Sequence, residues 1–134
     1  EEKYNKLSPF AISLGSAFQK VNFLRDLKDD SKILNRVYFP DVDMNNFNEE
    51  SKREIITEIE EDFKNAIKGI IKLPKNSRFA VYIAYRYYFK LLKKLKRISS
   101  ENIIKKRVRI HNFQKFIVIA RSYVKYQLNL IQWI

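Results

Sequence analysis

Four polar residues, Gln19, Asn22, Asp26 and Asp30, repeat at three- and four-residue intervals inside an otherwise apolar run. On a helix at about 100° per residue they fall, with Gly15, within an arc of about 80°. Leu14, Ala17, Phe18, Val21 and Leu24 occupy the opposite side, and Phe23 and Leu27 flank the stripe. A helix apolar on nearly all sides is buried. Two carboxylates on it need cationic partners or water, since burying either one alone costs several kcal/mol. The stripe is therefore expected to face a cavity, and Gly15, costly in a helix interior, is expected to mark a close approach.

The rest of the chain permits little besides helices. Glycine (2) and proline (3) are scarce in 134 residues, and 46% of residues are hydrophobic, which excludes a disordered chain. Apolar residues recur at helical spacing, so the expected class is all-α, a single unit over 1–134 with about four main helices. The first helix is expected from Leu7 to Asp30, with Ser8 as cap and Pro9 at the first helical position. Pro40 closes the following loop. A second helix, Glu49 to Leu73, carries Ile55, Ile59, Phe63, Ile67 and Ile70 or Ile71 on one face, and Pro74 stops it. A third runs from Arg78, capped by Asn76 or Ser77, to Ile98. A short helix over Glu101–Lys106 leads to an extended Arg107-Val108-Arg109-Ile110. A last helix capped by Asn112 is expected to bury Phe113, Phe116, Ile117, Ala120, Val124, Leu128 and Ile131 and to reach Trp133.

Charge is divided along the chain. Residues 1–63 carry net −5 and residues 64–134 net +17. The basic half suits polyanions: nucleic acid, anionic lipid or diphosphate. The absence of cysteine excludes disulfides and thiolate metal sites, and a single histidine, His111, removes most zinc and triad chemistry. The longest uncharged stretch, Leu7 to Gln19, is too short for a membrane span. A cytoplasmic location, with contact at the membrane periphery, fits this pattern.

Asp26 and Asp30 stand one helical turn apart, about 6 Å along the axis, so both carboxylates can reach one magnesium cluster. Asn22, a turn earlier, can add an amide oxygen. Arg25 can pair with Asp29 four residues on. The acids Glu54, Glu58, Glu61 and Asp62 read as a solvated stripe. The aromatic turn Tyr82, Tyr85, Tyr87, Tyr88, Phe89 reads as core or as cavity lining, and Lys105, Lys106, Arg107 and Arg109 as a basic patch. His111 reads as a cap neighbour.

The run LGSAFQKVNFLRDLKDDSKILNRVYFP resembles the second aspartate-rich motif of the squalene and phytoene synthase family, enzymes that join two prenyl diphosphates head to head. Gly15, Ala17, Gln19, Asn22, Leu24, Arg25, Asp26, Asp30, Arg36, Tyr38 and Pro40 follow the family order. The spacer from Asp30 to Arg36 is one residue longer than in many members, and Asn35 stands where glycine is common. Tyr88 and the later Lys106-Arg107-Val108 are similar to family positions that line the substrate cavity and contact diphosphate. The resemblance implies an isoprenoid synthase helical fold and a transferase of carotenoid or isoprenoid biosynthesis. It implies Mg²⁺, two or three ions with the diphosphate, held by Asn22, Asp26 and Asp30, and substrate contacts from Gln19, Asn22, Arg36, Tyr38, Tyr88 and Arg107. Asp26, Asp30 and Arg25 would carry catalysis. The implied reaction is geranylgeranyl diphosphate to phytoene; a farnesyl-using squalene or dehydrosqualene type, with NADPH in the squalene case, is the alternative. No nucleic-acid partner is implied, and a basic module binding nucleic acid or anionic lipid is the competing reading. The family's first aspartate-rich motif has no counterpart in the chain. The chain is thus expected to be the second half of such a synthase, inactive alone and able to dimerise over its open cavity wall.

Overall fold

In the computed structural model, residues 1–27 and 39–128 are described, apart from the side chains of Met44 and Phe113. Five α-helices account for most of them: α1 (Glu2–Arg25), α2 (Glu49–Ile70), α3 (Lys75–Arg97), α4 (Ser100–Lys105) and α5 (Asn112–Gln127), with a 3₁₀ turn at Met44–Asn46. No strand occurs among the described residues. The expected all-α class holds.

Helix α2 follows its sequence pattern closely. The Asn48 side chain accepts from the backbone N–H groups of Glu50 (2.9 Å) and Ser51 (3.0 Å), satisfying two of the free donors at the helix start. Its face Ile55, Ile59, Phe63, Ile67, Ile70 is buried, and Ile71 is exposed. Helix α1 lies along this face and contributes Ala17, Val21 and Leu24, all fully buried. Helix α3 covers both with Tyr82, Tyr85, Leu91, Leu92 and Leu95. Phe63 sits at the junction, its ring 5.2 Å from Tyr85, 5.3 Å from Phe89 and 6.4 Å from Phe18. These aromatics are core packing.

Several boundaries differ from expectation. Helix α1 begins at Glu2 and runs through Pro9. The proline ring is exposed, so continuing the helix costs chiefly one backbone hydrogen bond and the local ring clash. The helix ends at Arg25, with Asp26 as its C-cap. Residues 28–38, and with them Asp30, Arg36 and Tyr38, lie outside the described residues, as do Ile131 and Trp133. Helix α3 starts at Lys75, with Ser77 bonding back to the Pro74 carbonyl at 3.2 Å. His111 is the N-cap residue of α5.

Two side chains seal helix ends. Arg78 donates twice to the Leu73 carbonyl, at 2.9 and 2.6 Å. Lys52, buried on α2, donates to the Ile98 carbonyl past the end of α3 (2.8 Å) and pairs with Glu49 (2.7 Å), which itself accepts from the Ser100 N–H (2.6 Å). The acidic stripe of α2 is not wholly solvated. Lys20 of α1 bonds both Glu58 and, at 2.9 Å, Asp62, and Ser16 donates to Asp62 at 2.7 Å. Burial works against the Lys20 charge, yet the two carboxylates outweigh it and its pKa stands above the ordinary lysine value.

Helix α5 turns away from the expected face. Val118 and Ser122 are buried, whereas Phe116, Ala120, Val124 and Leu128 are exposed. The α5 residues buried in this contact are the small Val118 and Ser122. The Phe79 ring against Tyr123 and Tyr126, and the Tyr126 hydroxyl on the Lys75 carbonyl (2.8 Å), set this rotation.

Candidate functional site

The site forms where α1 ends. The Asp26 N–H donates to the carbonyls of Asn22 (3.0 Å) and Phe23 (3.1 Å), closing the last turn and fixing the carboxylate beside it. Arg25 forks onto that carboxylate, Nε to Oδ1 at 3.1 Å and Nη2 to Oδ2 at 2.6 Å. Arg107 Nε reaches Oδ1 at 2.8 Å from the extended segment after α4. A half-buried carboxylate thus has two cationic partners, as its cost of burial requires. The hydrogen bond to Asp26 pushes the pKa of Arg25 further up. Asp29, the alternative partner for Arg25, lies outside the described residues.

One turn back, Asn22 meets Tyr88. Its Nδ2 donates to the phenol oxygen at 3.3 Å, and its Oδ1 is buried with no hydrogen-bond partner. Unpaired buried acceptors are uncommon and call for a ligand, ion or water. The Tyr88 ring stacks on Phe18, centroids 4.1 Å apart, which holds the phenol over Asn22.

Beside Asp26 opens a recess of about 360 Å³, bordered by Arg25, Tyr87, Arg107, Arg109 and Lys115. Its geometry comes from strand-like alternation: Val108 and Ile110 are buried, so Arg107 and Arg109 point outward. Four cations at its edge suit a phosphate-bearing ligand. Of the bordering residues, the sequence reads Arg109 as part of a basic patch and Tyr87 as core or cavity lining, and gives no sign of Lys115. The two-residue alternation was a usable signal for Arg109; Lys115 is recruited only by the docking of α5.

Of the expected site residues, the structure brings together Arg25, Asp26 and Arg107, and separately Asn22 with Tyr88. Gln19 is on the same helix wall but exposed. The N-terminal part of the stripe does not face a cavity: Gly15 is exposed, and a Cβ there would meet nothing within 4 Å, so nothing packs closely against it. The close approach is at Gly69, where a Cβ would lie 2.3 Å from that of Phe10. Among the described residues, no three His, Asp or Glu side chains converge on one point. Asn22 and Asp26 are hard oxygen donors of the kind magnesium takes, and the orphaned Oδ1 fits such a ligand.

The fold and site define an all-helical protein with a carboxylate, an unpaired amide oxygen and a cationic recess at one helix end. A model of the squalene/phytoene synthase family matches residues 1–114, spanning α1 to α4 and the first residues of α5. The chain belongs to that family. Searches of curated proteins and of solved structures find no match. Membership places the chain with prenyltransferase-type enzymes of isoprenoid biosynthesis that condense prenyl diphosphates head to head. No helix among the described residues is long and apolar enough to cross a membrane.

Proposed function

We propose that the chain provides one wall of a head-to-head prenyl synthase site, with Asn22, Asp26 and Asp30 as magnesium ligands and the cationic recess as diphosphate holder. The observation that carries this reading is the pairing of an orphaned, buried Asn22 Oδ1 with an Asp26 carboxylate held between two arginines. Magnesium, when bound, neutralises diphosphate and favours its departure.

The protein's own groups divide the remaining work. Arg25 and Arg107 lend planar donors to diphosphate oxygens, with Arg109 and Lys115 at the rim of the same recess. Breaking the allylic C–O bond sends the electron pair to the departing diphosphate, whose charge the cations around the recess would offset. Tyr88 fixes the Asn22 amide. The reaction assigned is geranylgeranyl diphosphate to phytoene, with farnesyl diphosphate and a squalene or dehydrosqualene product as the alternative.

Calorimetric titration with a non-ionising geranylgeranyl thiolodiphosphate tests the reading. Binding is expected in magnesium and not in chelator, and is expected to weaken at least tenfold in Asn22→Ala. Binding indifferent to both would overturn it. The competing nucleic-acid reading predicts affinity for polynucleotide that falls steeply with salt and ignores magnesium.

A further inference from the structure

On the far side of α3 from Asn22, a second groove of about 350 Å³ runs between α3 and α5. Arg86, Lys90 and Lys93 line it from α3, and Arg121 and Lys125 from α5. No carboxylate lines it, and none of the five is ion-paired among the described residues. The sequence has no acid to spare: from residue 64 onward the only one is Glu101, which faces Lys105 on α4 at 3.8 Å. Burial, together with repulsion from Arg86, Arg121 and Lys93, lowers the pKa of Lys125. Such crowding is relieved by an anion.

The groove adjoins the apolar face that α5 leaves outward. Phe116 is 70% exposed and Leu128 62%, with Ile119, Tyr123 and Val124 each about half exposed. On the helical wheel, Arg121 and Lys125 follow Val124 and Leu128 directly, so cations border the apolar arc. An outward apolar stripe edged by lysine and arginine is the pattern of a helix lying in a membrane interface. Arg121 and Lys125 lie beyond the residues the family model matches, so family membership does not account for them.

We infer that α5 and the groove beside it form a docking surface for an anionic lipid bilayer, the cations taking headgroup phosphates and Phe116, Val124 and Leu128 entering the acyl boundary. A second copy of the chain would bring the same uncompensated cations face to face. A nucleic acid would engage the cations and leave the apolar arc in water. Of these three, a lipid surface engages both. The inference is independent of the metal and diphosphate site, and a failure of either leaves the other standing.

Vesicle co-sedimentation of the 134-residue chain tests it. Binding is expected to phosphatidylcholine vesicles containing about one third phosphatidylglycerol and not to phosphatidylcholine alone. Neutralising both edge charges, Arg121→Gln with Lys125→Gln, should lower the partition coefficient about thirtyfold. Phe116→Ser should lower it severalfold at unchanged charge, with the thermal unfolding of each variant checked by circular dichroism. Equal partition of all variants would overturn the inference. So would complete displacement by millimolar inorganic diphosphate, which would mark a site for free phosphate, or stronger binding to single-stranded nucleic acid. Loss of a dimer in Phe116→Ser without any vesicle binding would show that a second copy covers the face.

Discussion

The contact between Asp26 and Arg107 joins the end of α1 to the segment leading into α5, and it is open to a quantitative test. At the 2.8 Å contact distance the gross attraction, with an effective dielectric constant of about 20, is about 6 kcal/mol. Solvent reclaims most of it, because the Arg107 side chain is 44% exposed and loses rotamer freedom when held. About 1 kcal/mol of coupling should remain. A double-mutant cycle with Asp26→Asn and Arg107→Gln, followed by urea unfolding, isolates that quantity from the separate effect on Arg25. The coupling should fall by about half between low salt and 1 M NaCl, since the pair is partly in solvent. A coupling below about 0.3 kcal/mol, or one insensitive to salt, would show that Arg107 does not hold this carboxylate.

Two further outcomes follow from the packing. Gly69→Ala should destabilise by about 1–3 kcal/mol in the same assay, because the new methyl would meet Phe10 at its Cβ, which cannot move without its backbone; an unchanged midpoint would contradict the α1–α2 contact. Burial, reinforced by Tyr82, pushes the Tyr85 phenol up to about 12. Its raised pKa adds stability that is complete below about pH 10 and is lost as pH rises toward 12, on the order of 3 kcal/mol in all. Phenolate absorbance should show Tyr85, and with it the buried Tyr82, whose pKa is also raised by burial, titrating later than the exposed tyrosines, and Tyr85→Phe should remove its part of the alkaline loss.

Helix α2 was legible from its three-and-four spacing and the proline that follows, because both signals are local. Helix α1 was legible as a helix but not at its ends: Pro9 reads as a start signal, yet an exposed proline can be carried inside a helix. Tyr82, Tyr85 and Phe89 of the aromatic cluster resolved into core, with Phe63 packed on Tyr85 and Phe89, whereas Tyr87 and Tyr88 stand at the candidate site, a division set by residues in other segments. The two contacts that make the candidate site, Asn22 with Tyr88 and Asp26 with Arg107, each join residues from distant parts of the chain. Spacing places Asn22 and Asp26 on one wall; only the packing of α3 against α1 supplies the phenol and only the route of the segment after α4 supplies the guanidinium. The outward face of α5 marks another limit. A binary pattern shows which face is apolar, and not whether the same chain covers it.

The central claim is that Asn22 and Asp26 hold a metal on diphosphate, and manganese electron paramagnetic resonance reads it directly. With Mn²⁺ and inorganic diphosphate, the free-ion signal should fall as the chain is added, and the Asn22→Asp chain should retain that uptake while the Asp26→Asn chain loses it. Uptake unchanged in Asp26→Asn would contradict the account.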